Sequence, residues 1–76
     1  MAKRTIANLT SLGKHLREER ISQGLSQTEL AEIAGVSLNF VSQLESGKPT
    51  VRFNKVFAVM ESLGLRFALV YREKAL

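Results

Sequence analysis

Two amide side chains, Asn39 and Gln43, are the residues in this sequence best suited to specific polar recognition. They are four residues apart, so a helix would place them on one face. A carboxamide donates and accepts hydrogen bonds side by side, which matches the donor and acceptor on an adenine edge. Ser37, Leu38 and Ser42 would share the same outward surface. The pattern suits recognition by hydrogen bonding rather than bond-making chemistry.

Catalytic chemistry has little support in the composition. His15 is the only histidine, and the sequence contains neither cysteine nor aspartate. The seven acidic residues are therefore all glutamates, and most of them are spread over predicted helix faces. General acid–base catalysis and metal binding both need clustered groups, so we expect no enzyme activity, no metal site and no cofactor.

Two short helices joined by a turn would position Asn39 and Gln43. Ser26 and Glu29 have the spacing of a capping box, which predicts a helix over about 27–34 that ends at Gly35. Ser37 is the next candidate cap, and it predicts a recognition helix over about 38–46, with Val41 and Leu44 facing inward. A small residue at the crossing and a glycine in the turn are typical of two helices that meet at a steep angle.

Helices on either side complete a predicted domain over residues 9–64, after a flexible N-terminal arm over residues 1–8. The first helix would run from Leu9 to Gly24, capped by Thr10 or Ser11. The fourth would begin near Phe53, after the only proline, and end at Gly64. The residues predicted to be buried in these two helices are Leu9, Leu12, Leu16, Ile21, Val56, Phe57, Met60 and Leu63.

The C-terminal segment, residues 65–76, changes to an alternating pattern. Leu65, Phe67, Leu69 and Tyr71 alternate with other residues in a run rich in aromatic and β-branched types, which predicts a strand. No second strand is predicted in the chain, so its simplest partner is the same strand of another copy. We therefore expect these four residues to form a homodimer interface. A terminal helical turn packed on the fourth helix is the competing interpretation.

Composition favours a polyanionic partner. The net charge is +4 and the isoelectric point is about 10.0, a balance often found in nucleic-acid-binding domains. The sequence has no apolar run of membrane-spanning length and no signal-peptide core, so we expect a cytoplasmic protein. With 76 residues the core is small, and a partner subunit would stabilise it.

Residues from about 12 to 63 resemble the helix-turn-helix domain of the phage repressor and Cro type, also called the xenobiotic-response-element family. The resemblance rests on R-x-x-x-G-L-S-Q-T-E-L-A-E-I-A-G-V-S and on the following V-S-Q-L-E-S-G-K. It implies a mainly α, lambda-repressor-like domain of four to five helices that binds double-stranded DNA. It also implies phosphate contacts at Gln27 and Lys48, and a structural salt bridge between Arg20 and Glu45. The implied base contacts are Ser37, Leu38, Asn39, Ser42 and Gln43.

The fourth helix and closing segment resemble, more loosely, the HipB-like antitoxin branch of this family. That likeness implies a bacterial or phage repressor that controls its own operon through a palindromic operator and binds a HipA-like kinase toxin. Two alternatives stay open: a stand-alone phage-type repressor, and a protein-binding adaptor that has kept the fold without DNA affinity. Leu38 departs from the Gln or Arg of many relatives, so direct readout would depend mainly on Asn39 and Gln43, favouring A·T pairs.

Overall fold

The computed structural model describes residues 6–69, which form four α-helices. They are α1 (Leu9–Ser22), α2 (Gln27–Ala34), α3 (Leu38–Glu45) and α4 (Phe53–Ser62). α1 packs on α3, and α2 packs on both α3 and α4. The mainly α fold of four helices expected from the sequence is confirmed.

Side-chain caps fix where the first three helices begin. Asn8 caps α1, its Oδ1 accepting from the Ser11 N–H at 2.9 Å, so the predicted cap at Thr10 or Ser11 was wrong. Ser26 and Glu29 form the predicted capping box, with distances of 3.0 Å and 2.9 Å. Ser37 caps α3 by accepting from the Phe40 N–H. These caps satisfy backbone N–H groups that a helix leaves free at its start.

The core is a single apolar cluster drawn from all four helices. Its buried members are Leu12, Leu16, Leu30, Ala31, Val41, Leu44, Val56, Val59, Met60 and Leu63. Two residues that the sequence predicts on the inward faces of helices, Ile21 and Phe57, are instead exposed. Val59 takes the place expected for Phe57. In each case the buried position lies one or two residues from the predicted one. Packing against the neighbouring helices decides which face points inward, and residue spacing alone does not define it.

Two glycines fix the surroundings of α3: Gly35 allows the turn before it, and Gly13 allows α1 to approach its end closely. Gly35 ends α2 with a φ of 70°, a left-handed conformation that glycine adopts without steric cost. Gly13 lies inside α1, where an added Cβ would collide with the Leu44 carbonyl oxygen and come within 2.8 Å of the Glu45 carbonyl oxygen. α1 therefore lies directly against the C-terminal end of α3.

The structure describes only part of the predicted N-terminal arm and part of the predicted C-terminal strand. Residues 1–5 of the arm lie outside the described residues, while Ile6 packs against the core. Residues 65–69 have no helix or strand structure, which argues against the helical-turn interpretation there. Tyr71 lies outside the described residues, and pairing with a second copy stays a prediction.

Candidate nucleic-acid interface

α3 has one face locked into the core and one face turned outward. Val41 and Leu44 are almost fully buried. Of the predicted base contacts, Ser37, Leu38 and Asn39 are exposed, and Ser42 and Gln43 are half-buried. Leu38 is 49% exposed. The outward face thus carries hydroxyl, amide and short apolar groups with no formal charge.

A buried ion pair holds the C-terminal end of α3 against α1. Arg20 Nε donates to Glu45 Oε2 at 2.7 Å, and Arg20 Nη2 donates to Glu45 Oε1 at 3.0 Å. Arg20 Nη1 donates to the Leu25 carbonyl oxygen at 2.8 Å. The hydrogen bonds to Glu45 raise the pKa of Arg20, although burial opposes the shift. Two parallel bonds fix distance and orientation together, so this pair defines how α3 sits on the domain.

Gln27 joins the same network, a contact that the sequence did not predict. Its Nε2 donates to Glu45 Oε1 at 3.0 Å. Gln27 is the first residue of α2 and Glu45 the last residue of α3. The side chain predicted to contact phosphate is therefore held by the carboxylate that positions the recognition helix.

A groove beside α3 gathers four of the predicted residues: Ser37, Asn39, Gln43 and Lys48. Gln27, Leu38 and Ser42 are not part of its lining. The exposed Arg52 also lines the groove, and none of the lining residues is acidic. Arg52 was not among the binding residues predicted from the sequence. The sequence does indicate it, because Lys48 and Arg52 are basic residues at the two ends of the loop that contains the only proline. Lys48 and Arg52 make this edge of the groove positively charged, which would suit a phosphate backbone.

Phe40 supports the groove from the core side. It is half-buried, packs against the apolar cluster and has Lys55 Nζ 5.9 Å from its ring centroid. These contacts place Phe40 at the edge of the core. They also join α3 to the first turn of α4.

Neither a membrane span nor a metal cluster is found within residues 6–69. No helix there is long and apolar enough to cross a bilayer. No three His, Cys, Asp or Glu side chains gather closely enough to hold a metal ion.

Comparison with known proteins identifies the family. A model described as helix-turn-helix matches residues 16–70, which include α2, α3 and α4. The chain belongs to the Cro/C1-type helix-turn-helix family. As a member of that family it is a helix-turn-helix transcriptional regulator, a class that binds DNA and is generally non-enzymatic.

Relatives of this Cro/C1-type protein agree with the assignment. It is 47% identical over 64 residues to an uncharacterized HTH-type transcriptional regulator, y4mF, of Sinorhizobium fredii, covering 84% of this chain and 83% of that protein. The restriction-modification controller protein C.AhdI from Aeromonas hydrophila is 31% identical, with a TM-score of 0.70, over 76% of this chain and 88% of its own. A chain in the structure of a HipA–HipB–O2–O3 complex shares the fold, with a TM-score of 0.83 and 24% identity over 93% of this chain and 100% of that one.

Proposed function

We propose that this protein is a sequence-specific transcriptional repressor that binds an approximately palindromic operator as a homodimer. The observation that carries the proposal is the division of α3 into two faces. Val41, Leu44 and the Arg20–Glu45 pair fix one face, while Asn39 and Gln43 project from the rest of the helix. A rigidly held helix with outward amides is what major-groove readout requires.

Base readout would depend on the N-terminal and outer part of α3. Asn39 and Gln43 can each form a pair of hydrogen bonds with adenine, and Leu38 can contact a thymine methyl group. We therefore propose a half-site that is rich in A·T pairs. Ser37 and Ser42 add short hydroxyls that accept several hydrogen-bond arrangements.

Phosphate contacts would set the register of α3 in the groove. Lys48 is exposed at the charged edge, and Gln27 begins α2, where backbone N–H groups and the helix dipole favour an anion. The Gln27 amide uses one of its two N–H hydrogens on Glu45. Its second hydrogen stays available for phosphate, so one residue would connect the DNA backbone to the pair that orients α3.

Homodimerisation through Leu65, Phe67, Leu69 and Tyr71 would present two recognition helices. Half of the Phe67 surface and nearly all of the Leu69 surface are exposed in the single chain, which favours a partner that covers them. Two-fold symmetry would then place the half-sites about one helical turn, or roughly 34 Å, apart.

A finer proposal is that the protein is a HipB-like antitoxin that binds a HipA-like kinase toxin and represses its own operon. The support is the fold likeness to a chain of the HipA–HipB–O2–O3 complex over nearly the full length. Co-expression with the products of adjacent genes, followed by affinity purification, tests this. A co-purifying kinase-like protein is expected, and its absence would leave a stand-alone repressor.

The DNA-binding proposal is tested by mobility shifts on the DNA upstream of the protein's own gene over a range of salt concentrations. Affinity should fall steeply with salt, because phosphate contacts release bound counterions. Lys48→Ala should reduce the slope of log K against log salt by about two contacts per dimer, or ~1.8, whereas Lys14→Ala, at an exposed position on α1, should leave it unchanged. Failure to bind, or binding without a salt slope, would favour the protein-binding adaptor.

A further inference from the structure

Arg52 carries a guanidinium group that takes no part in holding the fold together. The residue is exposed, and within residues 6–69 its guanidinium meets neither a carboxylate nor a carbonyl oxygen. By contrast, Arg20 is bound to Glu45, and the Lys55 ammonium group lies over the Phe40 ring. Arg52 therefore keeps its N–H donors available for a ligand.

The backbone of Arg52 is fixed although its side chain is free. Its N–H donates to Thr50 Oγ1 at 3.0 Å, and its carbonyl oxygen accepts from the Lys55 N–H at 3.0 Å at the start of α4. Arg52 lines the groove beside α3, which Asn39 and Gln43 also line. A guanidinium on a fixed backbone, next to the residues proposed to read bases, needs less ordering when it binds.

The loop that ends at Arg52 is long enough to cross a phosphate backbone. Lys48 and Arg52 are separated by four peptide steps, which span at most about 14 Å. The major and minor grooves of DNA are separated by one phosphate backbone, and the minor groove is about 6 Å wide. With α3 in the major groove and Lys48 on the backbone beside it, Arg52 can reach the minor-groove side.

Val51 favours the minor groove over a second phosphate contact. Its side chain is 86% exposed and directly precedes Arg52. A phosphate would satisfy the Arg52 guanidinium but leave this apolar side chain in water. Minor-groove proteins frequently place apolar side chains beside the basic or amide groups that they use for reading. Arginine also suits a narrow minor groove better than lysine, because guanidinium is more weakly hydrated and a narrow groove has enhanced negative potential.

We propose that Arg52 enters the minor groove next to the base pairs read by α3 and selects DNA in which that groove is narrow and rich in A·T pairs. Lys48 contacts the phosphate backbone between the two grooves, and Val51 packs against the groove. The proposal rests on the proposed DNA-binding function and deepens it by adding a second reading residue. Sequence preference then extends to base pairs that no side chain of α3 touches.

A base analogue that changes the minor groove and keeps the major-groove edge of adenine tests this. Duplexes of the DNA upstream of the protein's own gene are prepared with adenine or with 2,6-diaminopurine in its place, and binding of the full chain is measured by fluorescence anisotropy at one salt concentration. The analogue keeps the N7 and N6 amino groups that Asn39 and Gln43 would contact, but adds an amino group in the minor groove. The wild type should bind the modified duplex at least about tenfold more weakly, since a hydrogen bond from a charged donor contributes about that factor.

Two variants assign the effect to the Arg52 side chain. Arg52→Ala and Arg52→Lys should each bind unmodified DNA at least about tenfold more weakly than the wild type and should bind the two duplexes about equally. Because Arg52→Lys keeps the charge, a simple phosphate contact would leave both its affinity and its discrimination as in the wild type. That result would overturn the minor-groove assignment, as would equal binding of the two duplexes by the wild type. If the wild type bound no upstream DNA at all, the proposed function would fail as well.

Two further variants serve as controls. Arg17→Ala removes an exposed arginine on α1, outside the groove, and should keep the affinity and discrimination of the wild type. Asn39→Ala removes a proposed major-groove contact and should bind both duplexes more weakly while keeping the ratio between them. Loss of discrimination in either control would contradict the assignment to Arg52. Far-UV circular dichroism of the Arg52 variants should match the wild type, because the exposed side chain makes no hydrogen bond within residues 6–69.

Discussion

Loss of one member of the Arg20–Glu45 pair should destabilise the protein far more than loss of both. Arg20 and Glu45 are only 8% and 9% exposed. In Arg20→Met the Glu45 carboxylate would keep one side-chain hydrogen-bond donor, the Gln27 amide. A buried charge stripped of its partner costs about 3–5 kcal/mol. The total stability expected for 76 residues is about 4–11 kcal/mol, so this variant should lose at least about a quarter of its stability.

The double variant Arg20→Met with Glu45→Met removes both charges and should recover most of the loss. Its remaining loss of stability comes from two broken hydrogen bonds. The Leu25 carbonyl oxygen loses its donor, and the Gln27 amide loses its acceptor. At about 1 kcal/mol for each lost hydrogen bond, we expect a net loss near 2 kcal/mol. The double variant should therefore be more stable than either single variant.

Urea denaturation followed by far-UV circular dichroism measures these differences, at one fixed protein concentration because dimerisation would add to apparent stability. The matched control is Arg17→Met, an exposed arginine on the same helix, which should change stability by less than about 0.5 kcal/mol. Single variants that lose less than about 1 kcal/mol would match an exposed pair and refute the burial argument. So would a double variant whose loss equals the sum of the two single losses.

Three other perturbations follow from local contacts. Gly13→Ala should lower the free energy of unfolding, measured by urea denaturation, by about 1–3 kcal/mol, because the new Cβ meets the Leu44 and Glu45 carbonyl groups. This loss should outweigh the better helix propensity of alanine. A variant as stable as the wild type would show that α1 can move away from α3. Hydrogen bonds from Ser26 lower the pKa of Glu29 below its ordinary value of 4.5. The ionised Glu29 carboxylate therefore stabilises the folded protein above pH 4.5, and this contribution is lost as the pH falls through the lowered pKa. Urea denaturation should show Glu29→Gln less stable than the wild type at neutral pH but not in acid, and a pH-independent difference would contradict this. Gln27→Ala should weaken operator binding in mobility shifts and lower the unfolding free energy by about 1 kcal/mol; unchanged binding would remove Gln27 from the proposed interface.

Helix positions near the turn could be predicted because their signals are local. The capping box at Ser26 and Glu29 fixes the start of α2, and Gly35 fixes its end. α3 begins at Leu38 as predicted and ends at Glu45, one residue before the expected end. Caps and turn glycines act over three or four residues, so the sequence contains the whole interaction.

Contacts between distant residues could not be derived from spacing. The series Leu12, Leu16 continues at Arg20, yet an apolar pattern selects Ile21, which is exposed. Arg20 lies inward because Glu45, twenty-five residues later, neutralises it; only the family resemblance suggested that pair. The link from Gln27 to Glu45 had no sequence signal. Gly13 did have one, since a glycine inside a helix lowers stability and so suggests a packing reason.

The central claim is that Asn39 and Gln43 read bases while the rest of the domain holds α3 in place. Fluorescence anisotropy on the upstream DNA and on a scrambled duplex of equal length, at one salt concentration, measures this as a ratio of affinities. Asn39→Ala and Gln43→Ala should each reduce that ratio by at least about 30-fold, because about 1–3 kcal/mol is lost at each of the two half-sites that the dimer contacts, with little change on scrambled DNA. A ratio that is unchanged in both variants would contradict the claim and assign recognition to other residues.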